Sequence, residues 1–458
     1  MVGDRGNPHG SRASLAWPPM SQNTVILFAS SMTATLLPPL GVSSEADSKR
    51  HPYRVLGIAA HPVQYASPVF RHMALRPELD FQVAYCSLRG VEPGLDREFG
   101  RTVQWDVPLL DGYRWTLVPN RGSGGEGFFE YCNTGLWKLI REGEFDAILC
   151  WTGYLRASFW IAYLAARVTG TAFLFGTDAT TLHPMTGPAW KQSVKRAVWP
   201  LLFRAADQVI VPSSGARELM VSLGIPAECV TLTPYSVDND WWRARSAEVD
   251  RKAVRDSWGV ADGDFVVLFC AKLQPWKRPL DLLRAFARAD LPGAVLVFAG
   301  EGPLREQVEA EAAELGVSSR IKLLGFVNQS RLPAVYTAAD LLVLPSEYEA
   351  FGVVVNEAML CGCVVAASAN VGAARDLIAP GKTGYLFPCG DVDALASVLR
   401  EVATDRARLA RISQAARERM ATWSFRENVQ ATVDAVERAA YRKFPRNQIE
   451  GGGAQSYR

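Results

Sequence analysis

The sequence predicts an α/β protein of two Rossmann-like domains, each with a doubly wound parallel sheet, facing each other across a central cleft. Three observations lead to this prediction. The chain has 458 residues, which is too long for one ordinary hydrophobic core. From Tyr53 onward, short apolar runs alternate with segments of helical periodicity, as in parallel sheets covered by helices. The alternation stops at a turn-rich segment, Pro234 to Asp240, and then restarts.

The first half of the chain supplies the elements of a domain at residues 51–238. Its predicted strands are short buried runs, namely RVLGIAA, FQVAYCS, DAILCW, TAFLFG and QVIVPS. Its predicted helices carry apolar residues at helical spacing, namely SPVFRHMALRP, ASFWIAYLAARVTG and GARELMVSLG. Gly170 and Gly224 close two of these helices, because glycine readily adopts the backbone conformation that ends a helix.

The second half supplies a domain at residues 239–423. The predicted strands are FVVLFCAKL, AVLVFAG, IKLLGF, ADLLVLPS and VVAAS. Two helices are predicted at PLDLLRAFARA and REQVEAEAAELG, and a third follows PSEYEAFG. Two sheets of this kind are expected to enclose a ligand cleft between them.

Composition excludes several classes of protein. The chain is 48% hydrophobic and 21% charged, as in soluble globular proteins. The net charge of +2 gives no overall attraction to nucleic acid, so no nucleic-acid partner is expected. The eight cysteines show no C-x-x-C spacing, which favours reduced, buried thiols in a cytosolic protein.

The two ends of the chain differ from the rest. Residues 1–50 are rich in Ser, Pro and Gly, and no charge occurs between Ala13 and Ser44. Val25 to Leu37 is apolar but too short to span a bilayer. A disordered or misassigned leader, a membrane-associating tail and a cleaved signal all remain open for this segment. Residues 446–458 are expected to form a flexible tail.

The most informative segment is PSEYEAFGVVVNEAMLCG, in which Glu349 and Glu357 are separated by seven residues. The apolar run Leu341 to Pro345 before it predicts a buried strand, so the motif spans a strand end, a loop and a helix start. Open α/β sheets bind ligands at such strand ends, and the spare N–H groups of a helix start suit a phosphate. Carboxylates that accept hydrogen bonds from paired hydroxyls point to a sugar or a ribose. The alternative is a surface loop and an amphipathic helix with incidental charges.

This segment resembles the E-x7-E motif of the retaining family 4 glycosyltransferases (glycosyl transferases group 1), which have the GT-B fold. The resemblance covers roughly residues 53–445 and is strongest between Leu268 and Phe387. It implies transfer of a sugar from a nucleotide-sugar donor to an acceptor with retention of anomeric configuration. It also implies that residues 424–445 form a helix that crosses back to the first domain, although an ordinary amphipathic terminal helix fits the same pattern.

The resemblance implies roles for individual residues of the second domain. Lys272 and Lys277 would contact the donor diphosphate as catalytic residues, although most family members carry arginine at the first position. Glu349, the third catalytic candidate, would lie near the donor sugar, and Glu357 would receive the ribose hydroxyls. The other implied donor-binding residues are Gly300, Gly302, Phe326, Val327, Leu332, Phe351, Gly352 and Val353. Solvated loop lysines and simple strand-ending glycines are the alternatives.

In the first domain, AAHPVQYASPVFRHM resembles a bacterial subgroup with an HP-x-Q-Y opening. His61, Gln64 and Tyr65 are therefore candidates for the cleft, with a capping or core role as the alternative. Asp178 follows a predicted strand and is a further cleft candidate. Trp151 stands where relatives often carry a histidine. The contact that this histidine makes in relatives is therefore not expected here.

No metal is expected, although Asp238-Asn239-Asp240 spells the D-x-D pattern that binds a divalent cation in the other glycosyltransferase fold. This pattern falls in the interdomain turn, and Lys272 with Lys277 would neutralise the diphosphate. The nucleotide sugar is expected as a co-substrate, with no other cofactor.

Residues 190–204 are basic and amphipathic, which is compatible with peripheral membrane contact or with an ordinary surface helix kinked at Pro200. A glycan or lipid-linked acceptor and a cytoplasmic location, at the inner face of the membrane, are expected. The alternative function is a non-catalytic nucleotide-sugar-binding or scaffold protein of a polysaccharide pathway, which the departures at Lys272 and Trp151 favour. A third interpretation is a GT-B epimerase or phosphorylase.

Overall fold

The computed structural model describes residues 51–96, 101–125, 127–182 and 190–443. The expected leader at 1–50 and tail at 446–458 lie outside these residues. Two parallel-sheet domains with helices on both faces are present, so the predicted fold class is confirmed. Within the described ranges, no helix combines the length and the apolar composition needed to cross a bilayer.

The first domain is built on a parallel sheet. Its strands are β1 (Tyr53–Ala59), β2 (Leu79–Tyr85), β5 (Arg114–Leu117), β6 (Ala147–Cys150), β7 (Ala172–Gly176), β8 (Gln208–Val211) and β9 (Val230–Leu232), with an antiparallel ribbon of β3 (Gly94–Asp96) and β4 (Arg101–Val103) beside it. The sheet order is β5-β2-β1-β6-β7-β8-β9. The helices are α1 (Ala66–Ala74), α2 (Gly135–Gly143), α3 (Ala157–Thr169), α4 (Trp190–Arg204) and α5 (Ser214–Ser222).

The second domain repeats this plan. Its strands are β10 (Phe265–Cys270), β11 (Ala294–Ala299), β12 (Ile321–Gly325), β13 (Leu341–Leu344), β14 (Val364–Ser368) and β15 (Tyr385–Phe387), in the parallel order β12-β11-β10-β13-β14-β15. Its helices are α6 (Asn239–Ala247), α7 (Arg251–Ser257), α8 (Pro279–Ala289), α9 (Arg305–Glu314), α10 (Leu332–Ala338), α11 (Val354–Leu360), α12 (Gly372–Leu377), α13 (Val392–Thr404) and α14 (Arg406–Arg419). In each sheet the strand order reverses at the first strand, which is where such sheets bind ligands.

Some elements differ from the sequence prediction. Strand β5 was not predicted, because it is an edge strand whose side chains are mostly exposed and form no apolar run. Strand β9 lies just before the turn-rich segment Pro234 to Asp240, and its three residues are too few for a recognisable pattern. The short helices α6 and α7 follow that junction and were also missed. Their starts are nevertheless marked by the side chains of Asp238 and Asp250, which accept hydrogen bonds from backbone N–H groups.

Both faces of each sheet are buried under helices. The helix α15 (Phe425–Lys443) begins beside the second domain and packs on the sheet of the first. Its residues Val429, Val433 and Val436 share a buried cluster with Val55 and Val83 of the first sheet. The end of the chain is therefore part of the first domain's core.

The chain crosses between the domains twice, and the two crossings are bonded side by side. We call residues 234–240 and 420–428 together the hinge. The side-chain N–H groups of Asn428 and Trp423 donate to the carbonyls of Pro234 and Tyr235, at 2.8 and 2.7 Å. Asn239 donates to the Met420 carbonyl at 2.8 Å. The carbonyls concerned receive their hydrogen bonds from side chains, whereas in a helix or strand backbone N–H groups would supply them.

A buried carboxylate holds the start of the second domain to its sheet. Asp340 accepts hydrogen bonds from the guanidinium groups of Arg251 and Arg255 at 2.6 and 2.9 Å, and Arg406 approaches it to 2.7 Å. Its second oxygen also accepts from the Val266 N–H at 2.8 Å. The Arg255 side chain is only 1% exposed, so its charge depends on this carboxylate for compensation.

We expect Asp340→Asn to destabilise the second domain by about 3 kcal/mol, because it leaves a buried arginine without a counter-charge. The readout is hydrogen exchange of the amides of Phe265–Cys270, which reports this domain separately. The control is Asp393→Asn, which removes the exposed ion pair with Arg288 and should cost less than about 1 kcal/mol. Equal protection in the two variants would contradict a structural role for the buried network.

Candidate functional site

The C-terminal ends of β1 and β10 face each other across a space between the domains of about 550 Å³, which we call the cleft. The first domain lines it with His61, Gln64, Tyr65, Arg89 and Trp105. The second domain lines it with Lys272, Trp276, Lys277, Tyr348, Glu349 and the segment 352–354. Residues that are more than two hundred positions apart in sequence therefore meet at one site.

An ion pair lies on the wall formed by the second domain. Lys277 ends a short 3-10 helix, Pro275–Lys277, and its ammonium group donates a hydrogen bond to Oε2 of Glu349. The two side chains are 17% and 18% exposed, so each is largely withdrawn from water but still reaches the cleft. The pair places one cation and one anion at the end of the strand β13.

The loop that carries Glu349 has a fixed shape. Gly352 has a φ of +94°, and a Cβ there would lie 3.0 Å from Cγ of Glu349, so only glycine fits without strain. The Glu349 carbonyl accepts from the N–H of Gly372 at 3.0 Å. The Phe351 side chain is buried and stacks on Trp423, with ring centroids 6.1 Å apart. The Phe351 side chain therefore anchors the loop to the hinge, whereas Gly352 and Val353 line the cleft.

Lys272 is presented by the loop after β10, and two glycines lie directly behind that loop. A Cβ on Gly300 would come within 1.9 Å of the Ala271 carbonyl oxygen, and one on Gly302 within 2.6 Å of the Leu273 carbonyl oxygen. The Leu273 N–H donates to the Glu301 carbonyl at 2.9 Å. The absence of side chains at Gly300 and Gly302 therefore lets their backbone lie directly against that of residues 271–273. This close contact sets the position of Lys272.

Glu357 is buried in α11, one turn beyond Val354. Its Oε2 accepts a hydrogen bond from the hydroxyl of Tyr336 at 2.8 Å, and that hydroxyl also lies 3.3 Å from Sγ of Cys270, which lines the cleft. Burial raises the pKa of Glu357 to about 7, although the bond from Tyr336 opposes the shift. This carboxyl group is therefore near its titration midpoint at neutral pH.

An acid of the first domain faces Glu349 from the opposite wall. Asp178 follows β7 and is exposed at its surface, yet desolvation by the surrounding protein raises its pKa, and the charge of Glu349 adds to the effect. Burial together with the charges of Asp178 and Glu349 raises the pKa of Tyr65 to about 12. The two acids and the tyrosine hydroxyl are thus close enough to interact electrostatically across the cleft.

One edge of the cleft is closed by direct contact between the domains. The ring of Phe326 lies 6.2 Å from that of Trp105, centroid to centroid. Nearby, the Asn328 side chain donates to the Gln104 carbonyl at 2.7 Å, and the Ser330 N–H donates to Oδ1 of Asp106 at 3.0 Å. We call these two hydrogen bonds the clasp.

The segment from Phe326 onward forms the second domain's side of this edge. Val327 and Leu332 pack against the buried cluster of that domain, so their side chains support the segment from within.

The cleft-lining residues that the sequence interpretation missed include Arg89, Trp105, Trp276 and Tyr348. Trp276 and Tyr348 are the sequence neighbours of Lys277 and Glu349, so their place beside predicted site residues could have singled them out. Arg89 and Trp105 lie in irregular segments of the first domain with no local pattern.

Two candidate features are structural. Oδ1 of Asp238 accepts from the Trp241 N–H at 2.9 Å and so caps α6. Trp151 packs against Phe70, with ring centroids 5.2 Å apart, in the partly buried shell of the first domain's core. Among the residues that the structure describes, no group of three or more His, Cys, Asp or Glu side chains is arranged to hold a metal ion.

Comparison with known proteins assigns both domains. Residues 250–419 match the family model of the glycosyl transferases group 1, and residues 62–236 match that of the glycosyl transferase 4-like domain. The chain is 34% identical over 258 residues to the D-inositol 3-phosphate glycosyltransferases of Mycobacterium bovis and Mycobacterium tuberculosis. That match covers 54% of this chain and only 52% of those proteins, so the chain spans about half the length of the curated relatives it matches.

Solved structures share the fold at low sequence identity. HepE from Anabaena, in complex with UDP and glucose, superposes with a TM-score of 0.64 at 20% identity, covering 84% of this chain and 99% of that one. A glycosyltransferase from Rickettsia africae superposes with a TM-score of 0.67 at 16% identity, covering 85% and 99%. Residues 62–236 and residues 250–419 therefore each match a glycosyltransferase domain family, and the two domains are joined in one GT-B fold.

Proposed function

We propose that this protein is a retaining, metal-independent glycosyltransferase that moves a sugar from a nucleotide-sugar donor to an acceptor hydroxyl. The observation that carries the proposal is that Lys272, Lys277 and Glu349 line one wall of the cleft. Asp178 of the other domain lies close enough for the charge of Glu349 to raise its pKa. The lysines are suited to the diphosphate half of such a donor. The acids are suited to the hydroxyl groups of its sugar half. The family assignment of both domains supports the same chemistry.

The lysines would stabilise the leaving group. A diphosphate entering the cleft would take the Lys277 ammonium from Glu349, and Lys272 would add a second positive charge. As the bond between the anomeric carbon and the phosphate oxygen breaks, negative charge builds on that oxygen, and two fixed cations lower the barrier. These charges would do the work that a divalent ion does elsewhere, so the proposal requires no metal.

The acceptor would react on the face that the phosphate leaves. A bond forms between the acceptor oxygen and the anomeric carbon, and the acceptor proton passes to the departing phosphate oxygen. No side-chain base is required, and the protein contributes orientation and exclusion of water. Glu349 released from Lys277, and Asp178 opposite it, would accept hydrogen bonds from sugar hydroxyls.

The donor nucleotide would lie toward the clasp. Glu357 would accept the ribose hydroxyls, the N–H groups of residues 351–353 would face the phosphates, and Phe326 and Val327 would lie along the base. Gly300 and Gly302 would contribute indirectly, because they set the backbone position of Lys272. Leu332 would support the segment from Phe326 onward, which would lie along the base. UDP is the first nucleotide to test, because HepE was solved with UDP-glucose as well.

The proposed acceptor is a glycan or a lipid-linked precursor of a cell-surface polysaccharide. It would bind against the first-domain wall of the cleft, which carries His61 and Gln64. The proposed location is the cytoplasm at the inner face of the membrane, with peripheral contact through residues 190–204. The alternative of a non-catalytic nucleotide-sugar-binding protein rests on Lys272, where relatives usually carry arginine. The second argument for that alternative is the absence of a histidine at Trp151, which packs against Phe70.

The first test is a donor panel. Calorimetry with UDP-, GDP- and ADP-sugars should show binding of one nucleotide class, and that donor should hydrolyse slowly without acceptor. Binding with no turnover on any acceptor would favour the scaffold interpretation. Absence of binding across the panel would refute the proposal.

Lys277→Ala should lower kcat by roughly 10²-fold or more with little change in KM, because its ammonium acts on charge that develops in the transition state. Glu357→Ala should instead weaken donor binding by about 10-fold to 100-fold, since ribose hydroxyls lose their acceptor. Steady-state kinetics and calorimetry separate the two effects. Lys382→Ala, a change of the same type at an exposed position of the second domain, is the control and should match the wild type.

Affinity for UDP-glucose should rise about tenfold from pH 6 to pH 8. The free enzyme holds Glu357 with a pKa of about 7, and only the ionised form can accept from both ribose hydroxyls. Binding therefore favours loss of the proton, and affinity increases as the pH rises through 7. UDP-glucose is used because its diphosphate does not titrate in this range. Glu357→Gln should bind weakly with a flat profile; a wild-type slope in that variant would assign the titration to another group.

A further inference from the structure

A second and larger cavity lies between the domains, beside the cleft. Its volume is about 1220 Å³, compared with about 550 Å³ for the cleft, and we call it the side cavity. Trp276 and Tyr348 line both spaces, so the side cavity and the cleft meet at these two side chains. Burial together with the charges of Asp178 and Glu349 raises the pKa of Tyr348 to about 12, so this tyrosine lies near both acids of the candidate site.

The first domain forms one wall of the side cavity with the loop after β7 and the helix α5. Thr180 follows Asp178 by two residues, so this loop runs from the candidate acid to the side cavity. The residues of α5 in this wall lie three or four positions apart and so share one face of the helix, namely Gly215, Glu218, Leu219 and Ser222. The wall therefore rests on a regular helix rather than on loops alone.

The second domain forms the other wall with loops that follow three neighbouring strands. Trp276, Glu347 and Asn370 come after β10, β13 and β14. The Glu347 N–H donates to the Trp276 carbonyl at 2.8 Å, and the Asn370 side chain donates to the Glu347 carbonyl at 3.0 Å. These bonds tie the three loops together, so the wall that presents Trp276 is formed before a ligand arrives.

The charged side chains of the side cavity are paired with one another. Arg278 donates to Glu347 at 3.0 Å and to Asp281 at 2.5 Å. Arg375 of the second domain lies 2.6 Å from Glu218 of the first. Among the described residues that line the side cavity, two arginines are thus matched by two glutamates, whereas lysine and arginine predominate among the charged residues of the cleft. The side cavity is therefore suited to an uncharged ligand with many hydrogen-bonding groups.

Arg278 occupies a backbone conformation that glycine adopts more easily. Its φ is +52°, in the left-handed region. Residues that keep such a conformation cluster at ligand sites, and the Arg278 side chain lines the side cavity. Its contacts with Glu347 and Asp281 hold the guanidinium in place, so its remaining N–H groups are positioned as donors.

We propose that the side cavity binds a linear, uncharged glycan, and that the end of this glycan enters the cleft as the acceptor. The apolar C–H face of a sugar ring packs well on an indole, which Trp276 supplies where the two spaces meet. The hydroxyls of Thr180 and Ser222 and the amide of Asn370 can exchange hydrogen bonds with sugar hydroxyls. A volume more than twice that of the cleft suits several sugar rings rather than one. The role as acceptor rests on the proposed function, whereas the binding of a glycan does not.

The test is a binding screen of the full chain, with and without UDP, against linear oligomers of hexoses and N-acetylhexosamines, from single sugars to hexasaccharides, and their carboxylated and phosphorylated counterparts. We expect binding of at least one uncharged oligosaccharide, with single sugars bound more weakly. Gly215→Phe should lower that affinity at least about tenfold, because its side chain would fill the side cavity. A Cβ on Gly215 would lie 3.8 Å from Cγ2 of Thr180, which is an ordinary contact, so the change should not strain the fold.

The matched control is Gly263→Phe, at an exposed position of the second domain where a Cβ would meet nothing within 4 Å. It should bind the glycan as the wild type does, and both variants should keep the wild-type melting temperature. Trp276→Ala should lower glycan affinity by up to about tenfold, and Trp276→Phe should restore most of it, since an aromatic face is retained.

Three results would overturn the proposal: no uncharged glycan bound, only charged glycans bound, or a bound glycan that Gly215→Phe leaves unaffected. Failure of the proposed function would look different. Glycan binding would then depend on Gly215 as expected, but no nucleotide sugar would bind and no sugar would be transferred to the bound glycan.

Discussion

The arrangement of the whole molecule depends on the paired crossings of the chain at the hinge. Asn428, Trp423 and Asn239 each donate a side-chain hydrogen bond to a backbone carbonyl of the other crossing. Asn356 of α11 adds a bond of 3.0 Å to the Tyr235 carbonyl, so the helix that carries Glu357 is tied to the same point. Because α15 then enters the core of the first domain, neither sheet can turn away from the other without disturbing buried contacts. The two sets of strand ends are thereby kept face to face.

This constraint explains why both domains contribute charged groups to one site. The second domain brings two lysines and Glu349 to the end of its first and fourth strands, and the first domain brings Asp178 and Tyr65 to its own strand ends. Neither domain alone holds both the cations suited to a diphosphate and the opposing acids. Desolvation by the surrounding protein raises the pKa of both Asp178 and Glu357, and the charge of Glu349 adds to the shift at Asp178.

The sequence predicted the fold class well, because strand-length apolar runs and helical periodicity are local signals that tertiary packing then reinforces. It was least successful where the local pattern is absent: β5 is an exposed edge strand, and α6 and α7 are short. Within the candidate site, residues in continuous motifs such as Glu349 and Lys277 could be singled out, and the structure places both in the cleft. Arg89 and Trp105 could not, because their place in the cleft follows from how the two domains face each other.

The clasp and the hinge lie at different parts of the boundary between the domains and differ in solvent exposure. The clasp consists of exposed polar contacts, from Asn328 to Gln104 and from Ser330 to Asp106, which water can replace at little free-energy cost. The carbonyls at the hinge are paired by largely buried side chains, so breaking those bonds costs more. The contacts where Trp105 meets Phe326 are therefore the weaker part of the boundary between the domains, and those of residues 234–240 are the stronger part. Under the proposed function, that edge would be the route by which the nucleotide enters and the diphosphate leaves.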